Sequence, residues 1–354
     1  MKTLHDIKAP GLAFTAGIIP ATLLPPQAAF PCALAALPAA ALCVILAARR
    51  RNATLLILLA YSFTGAACAA ANRCFPAVGP GISETFSGVL ESLRRRIAGL
   101  GLGGEGVTEL VQTLLTGDKS TLPAQLKENF RAAGGAHILA LSGLHMGIIC
   151  TLMGRALFWT GNSIPGRRLR GGLTIAGSGA YCLLTGASPS VVRAFIYITL
   201  NELGKLSPGR KRVPLNTFFA ALTLQLCFNP GVVRSVAFQL SYLAMLGIHL
   251  LHPVLRQWLP ASEGRLASRI WNAASLSISC QLFTAPVVWL HFRSFPVNFL
   301  ITNLLALPVS ELFISGSALC LLLDSLHLCP GILKSLTSYT GQALIFCIDV
   351  IASL

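Results

Sequence analysis

The chain has 354 residues, 54% of them hydrophobic and only 11% charged, with a mean hydropathy of +0.70 and a formal net charge of +15. Soluble domains carry about a quarter charged residues, so this balance excludes an ordinary globular protein and predicts a polytopic membrane protein. Isolated Lys and Arg are costly in hydrocarbon, so the positive excess belongs on loops and on the walls of a hydrated path, where anionic lipid headgroups or an anionic substrate match it.

In chain order, apolar stretches predict spanning segments near 11–30, 31–48 and 53–72, the first two rich in proline. The stretch from Gly11 to Phe30 runs straight into the next segment, so no cleavable signal is expected. One long hydrophilic region, 73–135, follows. Within it Phe86, Val89, Leu90, Leu93, Ile97 and Leu100 recur at helical spacing beside Arg94, Arg95 and Arg96. A glycine-rich break from Gly99 to Gly106 precedes a short apolar helix over 107–117, the turn Gly117-Asp118-Lys119 and a second amphipathic stretch over 120–132. These are expected to be external amphipathic helices at the membrane surface, with Arg94, Arg95, Arg96 and Lys119 as their external basic residues.

Further segments follow near 137–159, 171–186, 189–205, 214–229, 235–252, 273–291, 296–324 and 332–352. That makes eleven spans, or nine if the segments interrupted at Pro189 and Pro308 fall short. The expected fold is an all-α, polytopic transmembrane helical bundle of about nine to eleven spans. It divides into N-terminal spans (1–72), an external region (73–135) and a transmembrane domain (136–354).

Orientation follows from the loops, because cytoplasmic loops hold the excess of Lys and Arg. With the N-terminus inside, 16 of the 27 basic residues are cytoplasmic, including Arg49, Arg50, Arg51, Arg155, Arg167, Arg168, Arg170, Arg210, Lys211 and Arg212, and nine are outside. Arg193 and Lys334 fall within segments. The eleven cysteines lie singly in apolar runs and read as small buried residues; Cys68 and Cys74 are the one pair near a single membrane face.

The most distinctive stretch is Gly134-Gly135-Ala136-His137-Ile138-Leu139-Ala140-Leu141-Ser142-Gly143-Leu144-His145-Met146-Gly147, where two imidazoles and a hydroxyl enter an apolar run. If the helix begins at His137, His145 lies about 80° and Ser142 about 140° away around it, so all three share one broad face. Two readings stand: the glycines permit close helix packing while the histidines bond nearby carbonyls, or the polar groups face a water-filled path. A hydrolase with Ser142 as nucleophile and His145 as base lacks a third, orienting carboxylate in the sequence nearby, and His137, His145, His249, His252 and His291 lack metal-ligand spacing. No cofactor, metal or catalytic residue is expected.

From Gly134 to His145 this stretch is similar to the G-x-x-H…A-x-S-G-L-H motif of the ComEC-type competence family, the inner-membrane channels for transforming DNA. Leu114-Leu115-Thr116-Gly117-Asp118-Lys119-Ser120-Thr121-Leu122 resembles that family's L-x-x-G-D-K-x-x-L segment. The resemblance continues through Arg193-Ala194, through Phe238-Gln239-Leu240-Ser241-Tyr242 and through Asn303-Leu304-Leu305-Ala306-Leu307-Pro308. It implies a channel that conducts single-stranded DNA into the cytoplasm during natural transformation, multi-pass in the bacterial inner (cytoplasmic) membrane, with the N-terminus cytoplasmic. Many family members also carry an oligonucleotide-binding β domain and a C-terminal metallo-β-lactamase-like domain; neither is expected here, since the gap after Arg73 is short and no H-x-H-x-D pattern occurs.

A single strand crossing about 30 Å of hydrocarbon places roughly five phosphates at membrane depth, each needing water or a cation. On this reading His137, Ser142, His145, Arg193, Gln239 and Asn303 are the candidate path residues, while Trp159, Phe195 and Tyr242 either stack bases or pack helices. The implied partners are single-stranded DNA, membrane lipid, and a DNA receptor, a nuclease and a cytoplasmic motor or strand-binding protein as separate chains. A secondary transporter of a small anionic solute is the alternative, because broken helices and polar groups at the midplane also serve carriers.

The charge distribution predicts the labelling pattern of single cysteines in a background without native ones. A cysteine at Gly103 reacts with an impermeant reagent from outside, and one at Arg210 reacts only after permeabilisation; the reverse pattern overturns the orientation.

Overall fold

The computed structural model describes residues 7–48, 54–74, 81–161, 163–206, 213–258, 264–293 and 295–354. Lys2, Arg49, Arg50, Arg51, Arg210, Lys211 and Arg212, which carry much of the loop-charge argument, lie outside the described residues, as do the side chains of Cys74 and Phe86. Among the described residues there are fifteen α-helices and no strand. They form two compact units, one of residues 1–81 and 196–242, the other of residues 82–195 and 243–354.

The first unit is built on α1 (Lys8–Leu23), α2 (Ala29–Ala48) and α3 (Thr54–Cys74), with α10 (Pro214–Phe228) against α1. A Cβ on Gly17 would overlap the Ser62 carbonyl and one on Gly65 would overlap that of Phe14, so α1 and α3 cross where their backbones touch. The C-terminal carbonyls of α1 are held by two guanidinium groups. Arg73 donates to Leu24, and Arg234, in a 3-10 turn over Pro230–Arg234, donates to Thr22. Cations suit the negative end of a helix dipole, so both charges are used in fixing α1.

The second unit holds α4 (Gly81–Gly99), α5 (Val107–Thr116), α6 (Ala124–Ala132), α7 (Gly143–Ala156) and α8 (Ile164–Leu184), and begins α9 (Pro189–Lys205). It continues through the later part of α11 (Val236–Leu250) into α12 (His252–Arg256), α13 (Arg265–Phe292), α14 (Phe299–Asp324) and α15 (Gly331–Ala352). Its core joins Ile97, Leu110, Leu114, Phe130 and Ile138 to Phe313, Ile314, Leu344 and Ile348. The amphipathic stretches of the hydrophilic region therefore bury their apolar stripes against α14 and α15. Contacts reach both ends of that helix pair: Arg96 Nη1 donates to Ser325 Oγ at 2.8 Å, and Asn129 Nδ2 to Asp349 Oδ1 at 2.7 Å.

Two prolines expected to interrupt spans do not. Pro189 opens α9, where its missing N–H costs nothing, and Pro308 lies inside a continuous α14. Five helices among the described residues are long and apolar enough to cross a membrane: Ala29–Ala48, Thr54–Arg73, Arg265–Phe292, Phe299–Asp324 and Gly331–Ala352. The sequence count of nine to eleven also includes Pro214–Phe228 and Val236–Leu250, each 15 residues. Each of those rises about 22 Å, short of a hydrocarbon core of about 30 Å.

On α13 polarity runs opposite to that of a soluble protein. On α13 the buried residues are Ala274, Ser275, Ser277 and Ser279, while Leu266, Ile270, Leu282, Trp289 and Leu290 are exposed. On α15 Thr337, Ser338 and Gly341 are buried beside Leu344, Ile348 and Ile351, and Ile332, Leu336, Tyr339 and Phe346 are exposed. Large apolar side chains outside and small or hydroxylated ones inside fit lipid as the surrounding solvent. Leu282→Asp is thus expected to weaken membrane insertion of α13 by about 3 kcal/mol. A glycosylation-mapping insertion assay of the isolated segment checks this, and unchanged insertion would show that Leu282 does not face lipid.

Candidate functional site

The distinctive stretch is not the start of a long helix. Gly134 has φ +75°, and a Cβ there would lie 3.0 Å from Pro296 Cβ and 3.2 Å from the Phe299 backbone nitrogen. Only glycine accepts both that backbone and that approach without strain. Residues 136–138 then form a turn, and helix begins only at Gly143. Ser142 is extended (φ −125°, ψ 171°), so angles measured around a helix from His137 do not apply.

Ser142 caps α7. Its Oγ accepts from the Leu144 N–H at 3.2 Å, and Nδ1 of His145 accepts from the Ser142 N–H at 3.3 Å. This is a capping box in which an imidazole fills the place usually held by Glu or Gln. Because Nδ1 accepts the backbone N–H, it also accepts the Ser142 hydroxyl proton across the 3.0 Å Oγ–Nδ1 contact. The proton of the neutral ring is then on Nε2, which is buried and has no hydrogen-bond partner among the described residues. This arrangement caps the start of α7.

His137 folds back on its own turn, donating from Nδ1 to the Gly134 carbonyl at 3.1 Å. The side chain of Asn303 on α14 interacts with its ring. Thr302, beside it, donates to the Ala133 carbonyl. Two residues singled out 166 positions apart therefore meet. Arg193, near the start of α9, is brought to the same helix end: a Cβ on Gly143 would lie 3.3 Å from Arg193 Nη2 and 3.6 Å from Ala194 Cβ. The guanidinium also acts electrostatically on Cys280 of α13.

Gln239 lies in the other unit, where its Nε2 donates to the Val233 carbonyl at 2.9 Å and ties α11 to the preceding 3-10 turn. Tyr242 is 6% exposed, donates to Gln225 Oε1 at 2.9 Å and packs edge-on to Phe218, so it is a helix-packing aromatic. Phe195 packs near Gly179, while Trp159 is exposed. Among the described residues no group of three or more His, Cys, Asp and Glu side chains is placed to hold a metal ion.

The basic residues of α4 have internal partners. Arg94 pairs with Asp118 at 2.7 Å, Arg95 with Glu91 at 3.2 Å, and Arg96 with Ser325. The Asp118 carboxyl is held below the usual carboxylate range by the Ser120 backbone N–H, with further help from the Ser120 hydroxyl, Arg94 and Lys127. Lys119 is shifted downward by burial and by Lys127. The sequence gave no sign of Tyr181, which donates to the Leu115 carbonyl at 3.1 Å and joins α8 to the end of α5. A lone tyrosine in an apolar run carries no spacing signal.

Residues 114–354 match the profile of a family described as "Competence protein". The chain is 28% identical over 227 residues to "ComE operon protein 3" of Bacillus subtilis, covering 64% of this chain and 28% of that protein. It is 27% identical over 201 residues to "Uncharacterized protein YcaI" of Escherichia coli, covering 54% of this chain and 26% of that one. An "Uncharacterized protein" of Aquifex aeolicus is 31% identical over 188 residues, covering 53% of this chain and 41% of that protein. The matched region thus spans about a quarter to two fifths of these relatives' lengths. No solved structure matches.

The capping geometry predicts a graded stability series. Ser142→Ala removes the capping oxygen and is expected to cost about 1 kcal/mol, while Ser142→Asn, which keeps one, stays within a few tenths. Thermal melts of the purified full chain in detergent measure both; equal losses would show that the cap contributes nothing.

Proposed function

Because this chain belongs to the competence protein family, we propose that it conducts single-stranded DNA into the cytoplasm through the bacterial inner membrane during natural transformation. The supporting observation is the meeting of Arg193 with the N-terminus of α7. The first N–H groups of a helix carry about half a positive charge, and a guanidinium beside them adds a full one. A helix N-terminus with a cation beside it is a site that attracts anions, and a passing phosphodiester is such an anion. Ser142 and His145 keep the helix end in place, and His137 with Asn303 anchors the turn before it.

The chain makes no covalent change in the strand on this reading. Ser142 acts through its capping oxygen, so replacement by Asn leaves passage intact, whereas a serine nucleophile would be lost with it. No cofactor or metal is called for. The partners are single-stranded DNA, membrane lipid, an outer DNA receptor, a nuclease for the other strand and a cytoplasmic motor or strand-binding protein.

At equal membrane abundance, Arg193→Glu should reduce entry of labelled transforming DNA by at least tenfold, and Arg193→Lys by much less, because charge sign rather than fork geometry governs passage. Equal entry with both variants would make Arg193 a packing residue. Normal uptake in cells lacking the chain would overturn the channel itself.

A further inference from the structure

The sequence offers Cys68 and Cys74 as the pair nearest one membrane face, but both belong to α3. Six residues on one helix turn about 240° and rise about 9 Å, so the two positions lie on different sides of α3. Cys68 instead meets α10 across the first unit. Its Sγ donates to the Cys227 carbonyl at 3.4 Å, and its thiol interacts with the Cys227 side chain. Cys227 is exposed at the end of α10, and Cys68 is half-buried.

The geometry points to a disulfide between Cys68 and Cys227 as a covalent modification of this chain, formed by exchange with an oxidised dithiol protein on the outer side of the membrane. The loop charges put the ends of segments 53–72 and 214–229 on that side. One cysteine thiolate attacks the incoming disulfide and expels one of its thiolates; the second then attacks the mixed disulfide and expels the other. Two thiol protons and two electrons leave the chain, and the oxidant departs as a dithiol. The bridge fastens α3 to α10 across 159 residues of chain, at the end of the unit where Arg73 and Arg234 hold α1. Cys320 and Cys329, at the connection between α14 and α15, also interact, and the same loop charges put them on the reducing side. They stay thiols.

Cells expressing the full chain are quenched in acid, free thiols are blocked with N-ethylmaleimide, and the unreduced digest is read by mass spectrometry. More than half of Cys68 and Cys227 should appear in one linked peptide pair that dithiothreitol separates, with maleimide on Cys320 and Cys329. In Cys227→Ser, Cys68 should carry maleimide instead. Maleimide on both Cys68 and Cys227 in the unsubstituted chain overturns the assignment, as does a bridge from either one to another cysteine. That peptide map decides the matter even if the serine variant is poorly folded.

Discussion

The second unit depends on the burial of residues 97–139 against α14 and α15. Lipid chains are as apolar as leucine, so spanning helices gain little by hiding leucines from them and associate through small residues, hydroxyls and close packing. The α13 interface has that character, with Ser275 and Ser279 inside, whereas α15 buries Leu344 and Ile348 along with Thr337 and Gly341. The stripe of α5 and α6 is different: Val107, Leu110, Val111, Leu114, Leu126 and Phe130 are all at most 7% exposed. These helices are too polar on their other faces to lie in hydrocarbon, so covering the stripe with α14 and α15 satisfies both faces at once.

This packing also determines where the distinctive stretch lies. Phe130 and Ala133 are in the buried cluster, Gly134 is pressed against Pro296 and Phe299, and Thr302 bonds the Ala133 carbonyl. The chain leaves that anchor through the His137 turn and re-enters helix at Ser142. Gly117 has φ +80°, and its missing side chain leaves room for Leu141. The G-D-K turn and the histidine stretch are therefore one packed assembly, although they read as separate motifs along the chain.

Helices were legible because their apolar period is strong, as in 84–100 and 107–117. The start of α7 was not. A Ser followed three residues later by His lacks the Glu or Gln that marks a capping box, so the apolar run seemed to begin at His137. The meeting of His137 with Asn303 was out of reach for another reason: each is a single polar residue in an apolar run, and nothing local says which distant residue it faces. An amphipathic stripe announces that something covers it without naming the cover. Headgroups and α14 with α15 are the same demand in sequence, and only packing distinguishes them.

The same contacts give the arginines of α4 partners within the chain, although Arg95 and Arg96 remain exposed. Arg96 reaches Ser325 at the connection of α14 and α15, while Asn129 reaches Asp349 near the end of α15. From the start of α15 to Asp349 is about 27 Å along the axis at 1.5 Å per residue, close to the thickness of the hydrocarbon core. A segment that contacts both ends of such a pair shares its depth, and a guanidinium at that depth is costly unless paired. Arg94 accordingly finds Asp118, and Arg96 a hydroxyl. Arg193 lies beside Gly143, at the first turn of α7. The fold thus brings Arg193 to the start of α7, the helix end that Ser142 and His145 cap.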